Sequence, residues 1–341
     1  MLSSNQSLVI HFDDQMPKRN GKMGHGVLRF TANPVVACID QHRKGEDSHD
    51  VLGFGPSCPV VGTVEQALQY GGEVLVLGMA PSGGRLPKHM FDEVDYAVEN
   101  GLSVANGLHQ PLADRYPNLK PGQWIWDIRA EQKGLGIASA RAASLPNRRV
   151  LMLGTDMAIG KMTAGIEIWK EAKRRGIAAE FLATGQIGIF VSGRGIALDA
   201  IRVDYACGAV EQMVLGAADA ELQVIEGQGS ILHPGSTSTL PLLRGSCPTH
   251  LVLCHRLGSN KLEDHDISIP PLLDLARLYE DIAHACGAFG RPKTIGIAVN
   301  TSSVDQESAE ESIQELQSQL GLPVVDPLRF GVERLVDVLL S

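Results

Sequence analysis

The stretch Val150-Leu-Met-Leu-Gly154-Thr155-Asp156-Met-Ala-Ile-Gly160-Lys161-Met162-Thr163 is an apolar run, a glycine-bounded loop and the start of an amphipathic helix. A buried strand that feeds such a turn and then a helix N-terminus aims backbone N–H groups and the positive end of a helix dipole at one point. That point binds phosphate. Lys161 adds a mobile positive charge, and Gly154 and Gly160 are expected to keep Cβ atoms out of the anion's way. Five residues, one more than the usual spacing, separate the two glycines. Met162 stands where a Mg²⁺-ligating hydroxyl normally follows the lysine, and Thr163 comes one residue late. The loop therefore predicts phosphate binding more firmly than metal-dependent ATP hydrolysis. A plain Gly-rich turn would not require strand, glycines, lysine and threonine together.

The rest of the chain bounds what this loop can serve. With 341 residues, two domains are expected, and 44% hydrophobic with 20% charged residues is an ordinary globular balance. The net charge of -9 argues against nucleic-acid binding, since no basic stripe offsets it. Arg148-Arg149 and Lys173-Arg174-Arg175 flank the central strand and close its helix, where solvated charge is the default. Six cysteines without a CxxC pair read as buried thiols of a cytoplasmic protein. No signal segment and no run of about 18 apolar residues is seen, so a soluble protein without membrane partners is expected. None of the eleven histidines falls in an HxH or HxxxH pair, and no zinc site is expected.

Residues 1–146 alternate strands and helices in the manner of a parallel, doubly wound sheet. Strands are expected at 7–12, 34–39, 58–63, 73–78 and 102–105, with helices at 21–29, 64–69 and 88–100. Asp40 ends the second strand, where a carboxylate can accept a ribose hydroxyl, and Thr63 with Gln66 forms a capping box. Trp124 and Trp126 would share one strand face, available for packing between the domains or for ligand stacking. A short helix over 138–143 closes the unit. The phrase Pro59-Val-Val-Gly-Thr63-Val-Glu-Gln-Ala-Leu68 with Val74-Leu-Val-Leu-Gly78 resembles the CoA-binding Rossmann-like domain of the succinyl-CoA ligase group. Such domains also serve as scaffolds without a ligand.

Residues 147–341 form the second expected domain, built on the central loop. Ala179–Thr184 is a strand that empties into a glycine-dense loop, Gly185 to Gly195, carrying Gln186 and Arg194. If the strands are parallel, that loop lies at the sheet end of the phosphate site. Asp199 and Asp204 follow, then the strand Leu222–Ile225 ends in Glu226, near His233. An acid at this place is the usual second carboxylate of a nucleotide site. A further strand delivers His255 and Arg256, and another brings Asn300, whose amide can read a purine edge.

Gly154-Thr-Asp-Met-Ala-Ile-Gly160-Lys161 with Glu226-Gly-Gln-Gly229 is similar to the dethiobiotin synthetase branch of P-loop enzymes. Together with Thr184-Gly-Gln-Ile-Gly188, Val203-Asp204-Tyr and Asp326-Pro-Leu-Arg-Phe-Gly331, it more fully resembles a two-domain family, long of unknown function, that includes the DgcN-type D-glutamate N-acetyltransferases. The resemblance covers nearly the whole chain. It implies an α/β protein with an N-terminal Rossmann-like parallel-sheet domain and a C-terminal P-loop NTPase-like α/β domain, and acetyl transfer from acetyl-CoA to the amino group of D-glutamate.

On the residues themselves, Gly154, Thr155, Asp156, Gly160, Lys161, Met162, Thr163 and Asn300 are the candidate cofactor-binding set. Glu226, His233 and Asp204 are the candidate catalytic groups, with Gln186, Arg194 and Arg256 for a small amino-acid substrate. No metal is required. If Mg²⁺ and ATP were used instead, Thr163, Asp204 and Glu226 would hold the ion, and the reaction would be a ligation or ATP hydrolysis. A nucleotide- or CoA-sensing protein without chemistry is the third reading. The large second sheet can pair with a copy of itself, and a homo-oligomer is expected.

Overall fold

The computed structural model describes residues 2–81 and 83–341. The chain divides into two compact units, Met1–Glu131 with Ile189–Gly193, and Gln132–Gly188 with Arg194–Ser341.

In the first unit the strands are β1 (Leu8–His11), β2 (Val35–Ile39), β3 (Val60–Val61), β4 (Val74–Leu77), β5 (Ser103–Asn106) and β6 (Ile125–Asp127). They pair in the order β3-β2-β1-β4-β5-β6, all parallel. Its helices are α1 (Lys22–Phe30), α2 (Ser48–Leu52), α3 (Val64–Leu68) and α4 (Met90–Glu99). Parallel strands are covered on both faces, which is why β1 and β4 are short, wholly buried apolar runs. On one face Val9, Ala37, Ile39, Leu75 and Val104 meet Val64, Met90 and Val94 of the helices. Thr63 caps α3 as expected, its Oγ1 accepting from Gln66 N at 3.3 Å, but Gln66 Oε1 accepts from Gly62 N at 2.9 Å, one residue before the usual partner. Asp40 does not face outward for a ribose: it is 1% exposed, and its Oδ2 accepts from Met16 N at 2.9 Å. Trp126 stacks on Phe190, ring centroids 6.0 Å apart, inside this unit, so packing accounts for that ring.

In the second unit the strands are β7 (Arg148–Gly154), β8 (Ala179–Leu182), β9 (Leu222–Ile225), β10 (His250–Arg256), β11 (Lys293–Asn300) and β12 (Val324–Val325). Their order is β12-β11-β10-β7-β9-β8, again all parallel. The helices along this stretch are α5 (Lys161–Arg174), α6 (Gln186–Ser192), α7 (Val203–Leu215), α8 (Thr239–Ser246), α9 (Leu272–His284), α10 (Gln306–Leu320) and α11 (Glu333–Leu340). Leu151, Leu153, Ile225, Leu251 and Ile297 of the sheet pack with Val210, Leu275 and Tyr279.

Four features of the chain differ from the sequence reading. Gln186–Ser192 is helical, not loop. Residues 132–146 group with the second unit: a 3-10 turn, Arg141–Ser144, replaces the expected helix, and Ser139 N and Arg141 N donate to the buried Glu211 carboxylate of α7 at 3.1 and 2.7 Å. Arg149 is not solvated. It is 3% exposed, and its guanidinium donates to the carbonyls of Leu145, Asn147, Ser246 and Cys247 at 2.9–3.1 Å. Of the cysteines expected to be buried, Cys286 is exposed.

Candidate active site

Because every strand of the second sheet runs the same way, the ends of β7, β9 and β10 deliver Gly154, Glu226 and Arg256 to one edge. The β7–α5 loop turns through left-handed backbone at Ala158 (φ 53°) and Gly160 (φ 110°), and α5 begins at Lys161. Only glycine holds the latter value without strain. Lys161 is 6% exposed, and its Nζ donates to Asp156 O at 2.6 Å, one of the three bonds an ammonium offers. Burial pushes Lys161 down to about 8, with Cys254, Asp156 and Glu226 pulling the other way. A Cβ on Gly154 would sit 2.9 Å from Ile159 Cδ1 and 3.0 Å from Lys161 Nζ, so this glycine makes room for both side chains.

Glu226 is the second centre. It is 4% exposed, and its Oε2 accepts from Thr184 N at 2.8 Å and Gly185 N at 3.1 Å. Burial raises its carboxyl to about 7, overriding those two donors and the Lys161 charge, while the Asp199 charge adds to the rise. A Cβ on Gly188 would stand 2.6 Å from Glu226 Oε2, which explains a glycine inside α6. Gln186 opens the same helix and is 8% exposed.

A cleft of about 150 Å³ lies against the loop, lined by Thr155, Asp156, Ile159, Arg256 and Glu263 among others. Asp156 spans it: Oδ1 accepts from Met157 N at 2.6 Å and Oδ2 from Glu263 N at 2.7 Å. Arg256 pairs with Glu263 at 3.3 Å and reaches Ala158 O at 3.4 Å. Thr155 Oγ1 meets His255 Nδ1 at 3.1 Å, and burial pushes His255 down to about 4, keeping it neutral.

The other candidates fall elsewhere. Met162 and Thr163 occupy the first turn of α5, both half-buried. Arg194 is ion-paired with Glu180 of β8 at 3.3 Å and half exposed. Asp204 is exposed on the first turn of α7, whereas Asp199 is an aspartate whose charge reaches Glu226. His233 Nδ1 accepts from Gly235 N at 3.1 Å, and its ring lies edge-on to His265, centroids 4.7 Å apart. Asn300 turns its Oδ1 to Ser302 N of its own turn, at 3.0 Å. Sequence reasoning missed Tyr279, whose hydroxyl donates to Gly154 O at 2.8 Å and accepts from Ile231 N at 3.1 Å. The signal was available: Leu272, Leu275, Ala276, Tyr279 and Ala283 repeat at helical spacing behind Pro270-Pro271.

Family models described as a Rossmann-like domain of unknown function (DUF1611_N) and a P-loop domain of unknown function (DUF1611_C) match residues 41–131 and 136–336. The chain belongs to the DUF1611 family. A solved DUF1611 protein from Anabaena variabilis superposes with a TM-score of 0.94 at 46% identity, over 98% of this chain and 99% of that one. Two relatives named D-glutamate N-acetyltransferase are each 36% identical: one from a Pseudoalteromonas species, over 80% of this chain and 82% of its own length, and one from Tritonibacter scottomollicae, over 81% and 84%. Among the described residues, no helix of this DUF1611 protein is long and apolar enough to cross a membrane.

Proposed function

We propose that this protein is an N-acetyltransferase that moves the acetyl group of acetyl-CoA to the amino group of D-glutamate or a similar small amino acid. The observation that carries the reading is a buried carboxyl near neutrality, Glu226, beside a Lys161-bearing loop of amide donors at one sheet edge. Names borne by the two 36%-identical relatives support it. Amides and one ammonium suffice for the pyrophosphate of CoA, and Met162 supplies no hydroxyl for a phosphate-bridging metal.

In the reaction the neutral amine attacks the thioester carbonyl carbon. Glu226 takes the proton released from nitrogen, backbone N–H groups of the neighbouring glycine segments stabilise the oxyanion, and the C–S bond breaks, the proton passing on to sulfur to release CoA as its thiol. His233 is the poorer candidate, because its Nδ1 already accepts from Gly235 N at 3.1 Å. Arg256 lines an amino-acid-sized cleft, where it would exchange its pairing with Glu263 for the acceptor's carboxylate, whereas Arg194 is paired with Glu180 of β8.

The test is thiol release from acetyl-CoA in the presence of D-glutamate, L-glutamate and other amines, run beside calorimetry of acetyl-CoA and of ATP with and without Mg²⁺. Thiol release that depends on the amine supports the transferase. If acetyl-CoA is ignored and ATP binds only with metal, a ligase or ATPase replaces it.

A further inference from the structure

We propose that the first unit binds one divalent transition-metal ion, of the Mn²⁺ or Zn²⁺ class, through Asp14, Asp40 and His42. A carboxylate oxygen from each aspartate and an imidazole nitrogen lie within 4.8 Å of one another. Ligands about 2.1 Å from one ion stand roughly 3–4 Å apart, so a small rotation of an exposed imidazole closes the set. His42 is the outermost member, its side chain 73% exposed, and its Nδ1 already lies 3.3 Å from Asp14 Oδ2. The ion therefore has an entry path.

A second observation points to a ligand independently. Asp40 is 1% exposed, and while Oδ2 accepts from Met16 N, Oδ1 is buried without a hydrogen-bond partner among the described residues. An orphaned, buried carboxylate oxygen is costly, and here an oxygen of the same side chain lies within 4.8 Å of another carboxylate. A cation answers both costs at once. The backbone is bent to the same end: Asp13 (φ 54°) and Asp14 (φ 58°) are successive non-glycine residues in the left-handed region, a strained pair that presents Asp14 beside Asp40. Asp13 is engaged separately, with His89 Nε2 at 2.6 Å. The site lies at the carboxyl ends of β1 and β2, where parallel sheets place their ligands. Two oxygens and one nitrogen suit Mn²⁺ or Zn²⁺ better than Ca²⁺ or Mg²⁺, which favour oxygen alone.

The experiment uses the full-length chain, stripped by chelation and titrated with Mn²⁺ alone, free Mn²⁺ being read by electron paramagnetic resonance and Zn²⁺ added as competitor. One site per chain is expected. His42→Ala, at an exposed position that does not endanger folding, weakens binding at least about 10-fold, and Asp14→Asn removes saturable uptake. Lys161→Ala and Glu226→Gln leave Mn²⁺ binding unchanged, which separates this site from the phosphate loop. The proposal is overturned if neither ion binds below about 1 mM, if uptake survives both His42→Ala and Asp14→Asn, or if Glu226→Gln abolishes it.

Discussion

The two units carry the same kind of sheet and opposite chemistry at its carboxyl edge. Both have all-parallel strands with loops gathered at one end. In the second unit those loops bring amides, Lys161 and a carboxyl near neutrality, the set on which the proposal of an anionic donor rests. In the first they bring Asp14, Asp40 and His42, a set made for a cation. Buried charge is also handled differently. Arg149 finds carbonyls for its donors, whereas Asp40 leaves one oxygen unsatisfied. The sheet thus decides where a ligand sits, and the loops decide its sign.

The largest effect is expected at Glu226. Glu226→Gln removes the proton acceptor and lowers kcat for acetyl transfer by about 10²–10⁴-fold, with KM for acetyl-CoA little changed. A kcat within a factor of a few of wild type would break the assignment of chemistry to this edge.

Next comes the saturated charge. Arg149→Ala leaves several buried carbonyls without donors and costs about 3–5 kcal/mol in urea unfolding. A loss under about 1 kcal/mol would show that water replaces the guanidinium.

The same Glu226→Gln change is expected to stabilise the fold at pH 8. Below pH 4.5 the carboxyl is protonated in folded and unfolded chains alike. Between 4.5 and about 7 the unfolded chain gives up this proton first, so wild-type stability falls as pH rises through that window. The variant has no such decline and gains on the order of 2–3 kcal/mol above it. Melting curves across pH 4–9 that run parallel for both proteins would contradict the buried carboxyl.

Lys161 supplies a smaller effect. Above about pH 8 it loses its proton, so acetyl-CoA affinity in calorimetry falls as pH rises through that value, by roughly 10-fold over the following two units. In Lys161→Met the affinity is low and flat with pH.

Smallest is Asp40→Asn. With a chelator present it relieves the repulsion with Asp14, keeps an acceptor for Met16 N, and raises stability by about 1 kcal/mol. With saturating Mn²⁺ the order reverses, because only wild type gains binding energy.

Local signals were legible, and contacts across long separations were not. The β7 run, its loop and the α5 start are contiguous in sequence, so strand, turn and helix could be read from neighbouring residues. Glu226 followed from its place at a strand end, and Thr63 from capping chemistry. Glycine density over 185–195 suggested a loop, yet α6 forms there, and Gly188 lets it lie against the Glu226 carboxylate. Arg149 read as solvated because its acceptors include Ser246 and Cys247, far along the chain. Asp14, Asp40 and His42 have no motif spacing, since two separate loops bring them together. Tyr279 meets a carbonyl 125 residues away.

That phenol makes one group both receiver and giver, pinning the tip of a strand to the segment after the Gly227-Gln-Gly stretch. Helix α9 thereby acts as a fixed keel for both stretches, so a bulky or shortened side chain anywhere along its inward stripe would misalign donor and base together rather than either alone.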